Sequence, residues 1–229
     1  MMKQGAFTFV LHSHIPYCRR AGQWPHGEEW IHEAALETYL PLLRALWDLR
    51  DEGVQFKSTI GLTPVLIEQL RDALINEHLV EYMERLVGDA EVDMERHRTE
   101  GAGHLAYLAE SYRSLYLGDL LAYRNRFGSD LVGAFKSLQD SGHIEVVTSG
   151  ATHGYLPLLE RDSSINAQIA VGVDVYRTAF GQAPRGIWLP ECAYRPSFHM
   201  NGDHGRSYEK PGLERFLAEQ GIQVFFSET

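Results

Sequence analysis

The sequence predicts an α/β fold built on parallel strands, and two observations carry the prediction. Short runs of β-branched and aromatic residues alternate with longer segments of helical periodicity. The order is strand, helices, strand, helices, strand, helix, strand, helix, strand. Such alternation implies helical crossovers, and crossovers join strands that run the same way. The second observation is chemical. Residues able to bind or react follow the strand-like runs, which is where parallel α/β folds gather their functional groups. At 229 residues the chain is long enough to bury a full core in one domain.

Each element has a local reason. Ala6 to Leu11 reads as a short buried strand between Gly5 and Pro16. A loop with two prolines and two glycines runs from Pro16 to Gly27. Glu28 to Leu49 is helical by the spacing of Ile31, Ala34, Ala35, Leu42, Leu46 and Leu49, with Pro41 as a kink point and Asp51-Glu52-Gly53 as the stop. Val54 to Ile60 is the second strand. Pro64 then fits the first turn of a helix capped by Thr63, and helical periodicity runs from Val65 to Leu86. Helices are expected from His104 to Phe127 and from Leu131 to Leu138. Ile144 to Thr148 is the third strand. Ser163-Ser164 is a candidate cap for a helix over Ile165 to Phe180, which Gly181 and Pro184 end. Ile187 to Leu189 is a fourth strand, Pro211 to Gln220 a helix, and Ile222 to Phe226 a fifth strand. The polar stretch Ser197 to Lys210, with Gly202 and Gly205, reads as a surface loop. The fifth strand is followed only by Ser227-Glu228-Thr229, whereas a parallel strand needs cover on both faces. Two readings follow: a complete small α/β sheet ending on an edge strand, or the amino-terminal piece of a longer barrel, which is the expectation once the family resemblance described below is added.

Composition narrows the class. Apolar residues make up 44% and aromatics 11%, which excludes a disordered chain. The formal charge of −10 repels phosphates on average, so neither a nucleic-acid nor a membrane-surface partner is expected. No run approaches the ~18 apolar residues of a membrane span. The opening residues, Met1 to Leu11, are too short for a secretion signal. Cys18 and Cys192 form neither a disulfide framework nor a zinc-type pair, and a cytoplasmic location is expected.

Candidate functional residues follow from the strand-end rule. His12, Ser13 and His14 follow the first strand; Gly61, Thr63 and Pro64 the second; Thr152, His153 and Tyr155 the third; Glu191, Cys192 and Tyr194 the fourth; Ser227 and Glu228 the fifth. On an extended backbone His12 and His14 point to one side. They suit a metal or a polyhydroxylated substrate, and two ordinary loop histidines are the competing reading. Glu191 at a barrel mouth suits a nucleophile, a general acid or a metal ligand, against a plain surface carboxylate. Trp24 and Trp30 offer flat apolar faces of the kind that stack on sugar rings, although Trp30 equally suits packing. His153, alone in a glycine-bearing turn, gains weight from sharing a rim with His12 and His14. Cys192 reads as a pocket wall, and Glu95-Arg96-His97-Arg98 as a solvated loop or helix end.

Three segments together resemble glycoside hydrolase family 57. They are Phe9-Val10-Leu11-His12-Ser13-His14-Ile15-Pro16-Tyr17 with Trp24-Pro25-His26-Gly27-Glu28-Glu29-Trp30; Ile144 to Pro157; and Trp188-Leu189-Pro190-Glu191-Cys192-Ala193-Tyr194-Arg195-Pro196. Their order and spacing cover nearly the whole chain, and the detail is similar to the α-glucan branching branch of the family. The resemblance implies a parallel (β/α)7-type barrel, incomplete here, with residues 1–229 as the amino-terminal part of its catalytic domain. It implies a retaining, two-step transfer of α-1,4-glucan to α-1,6 branches in glycogen or starch metabolism, with amylose or glycogen as substrate. Glu191 matches the nucleophile. His12, His14, His153, Trp188, Trp24 and Trp30 match substrate-binding residues. No metal and no cofactor are implied. The general acid, an Asp, is expected beyond Thr229, so this piece alone should turn over weakly or not at all, since acid–base assistance is worth about 10²–10⁴-fold. Three alternatives stay open: an α-amylase or 4-α-glucanotransferase of the same family, a metal-dependent sugar deacetylase, and a glucan-binding module without activity. The oligomeric state is not read from the sequence.

Overall fold

Parallel strands laid side by side in chain order organise the computed structural model, which describes residues 5–201 and 207–227. The chain divides into two compact units. One comprises Met1–Tyr17, Phe56–Glu68 and Lys136–Thr229; the other comprises Cys18–Gln55 and Gln69–Phe135.

In the first unit, β1 (Phe9–Ser13) pairs in parallel with β2 (Ser58–Leu62), and β2 with β3 (Ile144–Val147). A parallel bridge from Thr148 to Ile187 carries the array on to β4 (Gly186–Trp188). Two short strands follow in sequence, β5 (Phe198–Asn201) and β6 (Ser207–Lys210), and then β7 (Val224–Phe226), which pairs in parallel with β4. The spatial order β1-β2-β3-β4-β7 is thus the sequence order. A doubly wound sheet reverses direction at a switch point, whereas a barrel adds each strand on the same side. The winding seen here is of the barrel kind.

The expected strands exist, but their bounds move. β1 begins at Phe9 rather than Ala6 and ends at Ser13 rather than Leu11. β2 likewise runs to Leu62 rather than Ile60. The shift has a pairing cause: Gly61 lies opposite His12 and Leu62 opposite Ser13, so both strands run on together. The segment expected to be a surface loop is partly a hairpin, because β5 and β6 pair antiparallel with Phe198 opposite Lys210. Gly202 and Gly205 lie outside the described residues.

The core of this unit forms against α7 (Asp162–Phe180). Ile165, Ile169 and Val173 recur every four residues and pack with Leu156, Ile187, Leu189, Leu213, Phe216 and Leu217, all buried. Burying each such side chain contributes roughly 1.5–3 kcal/mol. The helix starts at Asp162 with no side-chain cap, so Ser163 and Ser164 are helical residues and not the expected cap. Gly181 ends it in the left-handed region, at φ 73°. Glycine matters more at Gly172, where a β-carbon would lie 2.3 Å from the Ser149 carbonyl oxygen. Only glycine lets α7 approach the turn after β3 this closely.

In the second unit the expected helix from Glu28 is continuous but not uniform. α1 (Glu28–Ala34) passes through a π-helical turn, Ala35–Tyr39, into α2 (Leu40–Asp51). Pro41 sits in the first turn of α2, next to the wide turn, so the run survives a residue without an N–H. The helix expected from Val65 to Leu86 is broken instead. α3 (Pro64–Leu70), whose residues through Glu68 belong to the first unit, stops, and α4 (Ala73–Thr99) starts in the second unit after Asp72, whose carboxylate accepts from the Leu74 and Ile75 amides at 3.0 and 3.2 Å. α5 (Gly103–Leu121) packs along α4 and ends in a second π-helical turn, Ala122–Arg126; α6 (Leu131–Asp140) follows. The Glu95-Arg96-His97-Arg98 run closes α4, as a helix end. Asp119 on α5 is fully buried and is met by Arg44 on α2 at 2.7 Å. The remaining helix, α8 (Leu213–Glu219), belongs to the first unit and precedes β7. Among the described residues no helix is long and apolar enough to cross a membrane.

Candidate active site

The strand ends of the first unit converge on one pocket of about 580 Å³, lined by His12, His14, His153, Trp188, Glu191 and Cys192. Local structure explains how each side chain arrives there. His12 lies within β1, and His14 lies two residues on, so both imidazoles take the same side. Gly61 on β2 makes room for His12: a β-carbon there would come within 3.0 Å of His12 Nδ1. His153 occupies the turn after β3 with φ 57°. Trp188 ends β4. The short 3₁₀ turn Pro190–Cys192 follows, in which Glu191 (φ 55°, ψ 26°) and Cys192 (φ 53°) both adopt left-handed backbone. Each such residue without glycine costs about 1–2 kcal/mol, and the pair turns the Glu191 side chain into the pocket mouth, where it is 69% exposed.

The rings form a stack. Trp188 lies 4.7 Å from His12 at 12°, His12 lies 5.0 Å from His153 at 22°, and His153 lies 4.2 Å from His14 at 27°. Phe226 of β7 stacks on Trp188 at 5.5 Å. Face-to-face imidazoles resist protonation, because adjacent cations would repel in a dry setting. Burial lowers His12 to about 4, with His14 adding to the effect. It lowers His153 to about 4, helped by His14 and His12. Burial also lowers His14, against the pull of the Glu191 carboxylate. At neutral pH all three rings are therefore uncharged, and each holds one N–H and one lone pair.

One tautomer can be assigned from the hydrogen bonds. The Ser149 hydroxyl donates to the Trp188 carbonyl oxygen at 2.8 Å, since a carbonyl only accepts. Its proton is then committed, so at 3.1 Å it accepts from His153 Nδ1–H. His153 Nε2 is left as a lone pair, 3.7 Å from Glu191 Oε1. Two acceptors at that separation form no ion pair; they leave space for a donor such as a substrate hydroxyl. His14 Nδ1 pairs with Thr63 Oγ1 at 3.2 Å. Neither ring nitrogen of His12 has a hydrogen-bond partner among the described residues.

A metal centre does not suit this arrangement. Nearly parallel rings send their in-plane lone pairs along neighbouring planes rather than toward one point. Among the described residues no group of three or more His, Cys, Asp or Glu is disposed to hold an ion. The three imidazoles, the carboxylate and the indole instead offer donors, acceptors and a flat apolar face. That combination suits an uncharged small molecule with several hydroxyls.

The sequence-derived residues His12, His14, His153, Trp188 and Glu191 thus come together, with Cys192 as wall. Trp24 and Trp30 belong to the second unit. Trp24 is exposed in the loop before α1, and Trp30 lies on α1, edge-on to His26 at 5.8 Å. Glu228 lies outside the described residues. Thr63, which the strand-end rule collects, directly follows β2 and joins the site beside His14. The sequence does not single out Ser149 or Phe226, although Ser149 lies two residues past β3, where the same rule applies. Thr63 stands at the expected position before α3, where its carbonyl oxygen accepts from the Leu66 and Ile67 amides, and its hydroxyl meets His14.

Comparison with known proteins places this geometry in context. Residues 8–229 match the sequence profile of Glycosyl hydrolase family 57. The chain is 48% identical over 226 residues to the 1,4-alpha-glucan branching enzyme TK1436 of Thermococcus kodakarensis, covering 99% of this chain and 33% of that protein. The crystal structure of a GH57-type branching enzyme from Pyrococcus horikoshii superposes with a TM-score of 0.87 at 46% identity, over 95% of this chain and 41% of the other. The crystal structure of the alpha-amylase AmyC from Thermotoga maritima superposes with a TM-score of 0.81 at 33% identity, over 96% of this chain and 39% of that one. The chain spans about a third of the length of the curated relative it matches.

Proposed function

Because the chain belongs to glycosyl hydrolase family 57, we propose that it forms the amino-terminal, nucleophile-bearing part of the catalytic barrel of a 1,4-α-glucan branching enzyme. In this reading Glu191 attacks the anomeric carbon of an α-1,4-linked glucan, and the leaving chain departs with a proton. A glycosyl ester on Glu191 results. The 6-hydroxyl of a second glucan then gives its proton to the group that protonated the leaving chain, displaces the Glu191 carboxylate and yields an α-1,6 branch with the anomeric configuration retained. The proton donor is a second carboxylate, which the family resemblance assigns to a later segment. His12, His14 and His153 hold the donor sugar's hydroxyls as neutral donor–acceptor groups, and Trp188 packs the ring stack behind them. Trp24 and Trp30 face glucan outside that pocket. The substrates are amylose and glycogen, the setting is glycogen biosynthesis in the cytoplasm, and no cofactor takes part.

The observation that carries the proposal is the Glu191 carboxylate 3.7 Å from an imidazole lone pair, beside a stack of uncharged rings. The test is to treat the enzyme that carries this chain with a slow-hydrolysing α-glucosyl fluoride and digest it. Mass spectrometry should find the sugar on the Glu191 peptide, and Glu191→Gln should abolish the adduct. A sugar carried by any other residue would refute the assignment. An α-amylase is the second reading, favoured by the AmyC superposition. New α-1,6 linkages in amylose separate the two, because hydrolysis creates none.

A further inference from the structure

His153 reaches the pocket from a turn that needs outside support. The stretch Ser149 to Gly154 contains two glycines, and His153 takes a left-handed backbone at φ 57° without being glycine. Such a conformation persists only where surrounding bonds fix it. Inside the turn the His153 amide donates to the Gly150 carbonyl oxygen at 3.0 Å. The Ser149 hydroxyl sets how the imidazole is rotated, but it does not hold the main chain that carries the ring.

That hold comes from α7, where Gln168 meets the turn three times. Its carbonyl oxygen accepts from the Ala151 amide at 2.9 Å, its Oε1 accepts from the Thr152 amide at 3.0 Å, and its Nε2 donates to Thr152 Oγ1 at 2.9 Å. A primary amide suits the task. It offers an acceptor and a donor side by side, matched here to an N–H and a hydroxyl oxygen. Gln168 and Gly172 are four residues apart and share one face of α7. Gly172 brings that face against the Ser149 carbonyl, and Gln168 then lies beside residues 151 and 152. The other side of the turn meets the Glu191 segment. A β-carbon on Gly150 would lie 3.1 Å from Pro190 Cγ and 3.4 Å from Gln168 Oε1. The turn thus threads between α7 and the Pro190–Cys192 turn that carries Glu191. Gln168 lines no part of the Glu191 pocket, so it acts on the site through His153 rather than on a ligand.

We propose that Gln168 is a positioning residue for the reaction: by clamping Ala151 and Thr152 it sets where the His153 ring stands opposite Glu191. The clamp rests on these bonds alone; its consequence for turnover rests on the function proposed above.

The test compares Gln168→Met with Gln168→Glu. Methionine keeps the length and helix propensity of glutamine and loses both side-chain bonds. Glutamate keeps an acceptor for the Thr152 amide, and the Thr152 hydroxyl turns to donate to its second oxygen. The main-chain bond from Ala151 survives in both. With nitrogen-15-labelled histidine at neutral pH, Gln168→Met should move or split the His153 ring resonances. Those of His143, at the far end of β3, should stay in place. In the enzyme that carries this chain, kcat/KM for branching should fall roughly tenfold to a hundredfold, the cost of a displaced group at the reacting centre, with the loss in kcat. Gln168→Glu should return both readouts close to the parent. If Gln168→Met does not fold, Thr152→Val removes the hydroxyl bond alone and should produce the same changes in smaller measure. A His153 resonance unmoved in whichever of these two variants is read overturns the clamp, as does a Gln168→Glu as impaired as Gln168→Met. A displaced His153 with unchanged kcat/KM upholds the clamp and removes His153 from the function proposed above.

Discussion

Replacing Ser149 with alanine probes the ring stack at the hydroxyl that holds His153. The side chain is buried, and its hydroxyl serves two neighbours, the Trp188 carbonyl at 2.8 Å and His153 Nδ1 at 3.1 Å. Removing it deletes two hydrogen bonds, each worth about 1 kcal/mol net. It also strands a buried N–H on His153, at a further 1–2 kcal/mol or so. The expected destabilisation is therefore about 3 kcal/mol, unless the ring turns over. Turning over is the informative outcome, because it moves the proton. In the unaltered chain, long-range proton–nitrogen spectra should show His153 with its hydrogen on Nδ1 and a bare Nε2. Ser149→Ala should give a mixture of tautomers, and the enzyme carrying it should lose roughly tenfold to a hundredfold in kcat/KM, or about 1.4–2.8 kcal/mol of transition-state stabilisation. A parent spectrum with the proton on Nε2 would refute the reasoning, since Ser149 could then not be acting as acceptor.

Further predictions rest on burial and on close approach. His12, His32 and His153 titrate at about 4 in the folded chain against about 6.5 when unfolded. Between those values the unfolded chain binds more protons, so stability falls as pH drops from 6.5 toward 4, by as much as about 3 kcal/mol for each ring. Urea midpoints at pH 7.5 and 4.5 should differ accordingly, His32→Leu should flatten the slope, and a flat profile in the parent would contradict the burial argument. Arg44→Ala leaves the buried Asp119 carboxylate unpaired and should cost about 3 kcal/mol. Adding Asp119→Asn should restore part of that loss in the same denaturation assay, and no restoration would mean the charge was not the issue. Gly172→Ala places a methyl against the Ser149 carbonyl and should destabilise by about 1–3 kcal/mol. It should also perturb the His153 resonances; a silent substitution would show that α7 has room to move.

Much of the architecture was legible because the physics is local. Strand, crossover and strand alternate in the residues themselves, and the rule that chemistry follows strand ends collected His12, His14, His153 and Glu191 before any contact was known. Boundaries were less legible. β1 and β2 slide toward their carboxyl ends because Gly61 and His12 are partners, a pairing between residues 49 positions apart. The restart at Asp72 was visible as a capping residue but lost to the helical periodicity around it. The hairpin of β5 and β6 is exposed, and the alternation Phe198-His199-Met200-Asn201 covers only four residues inside a polar stretch, too short a signal to mark a strand. Ser149 was the costliest omission: one hydroxyl with one proton sets a ring's chemistry, and no pattern in composition announces it.

Consecutive left-handed residues at Glu191 and Cys192 have a consequence for timing. The direction of that carboxylate is written into main-chain torsions rather than into contacts with neighbouring side chains. The chain therefore bears the energetic burden of aiming it at the moment of folding, before any ligand arrives, and under the function proposed above an incoming glucan would meet a carboxylate whose backbone already faces the pocket.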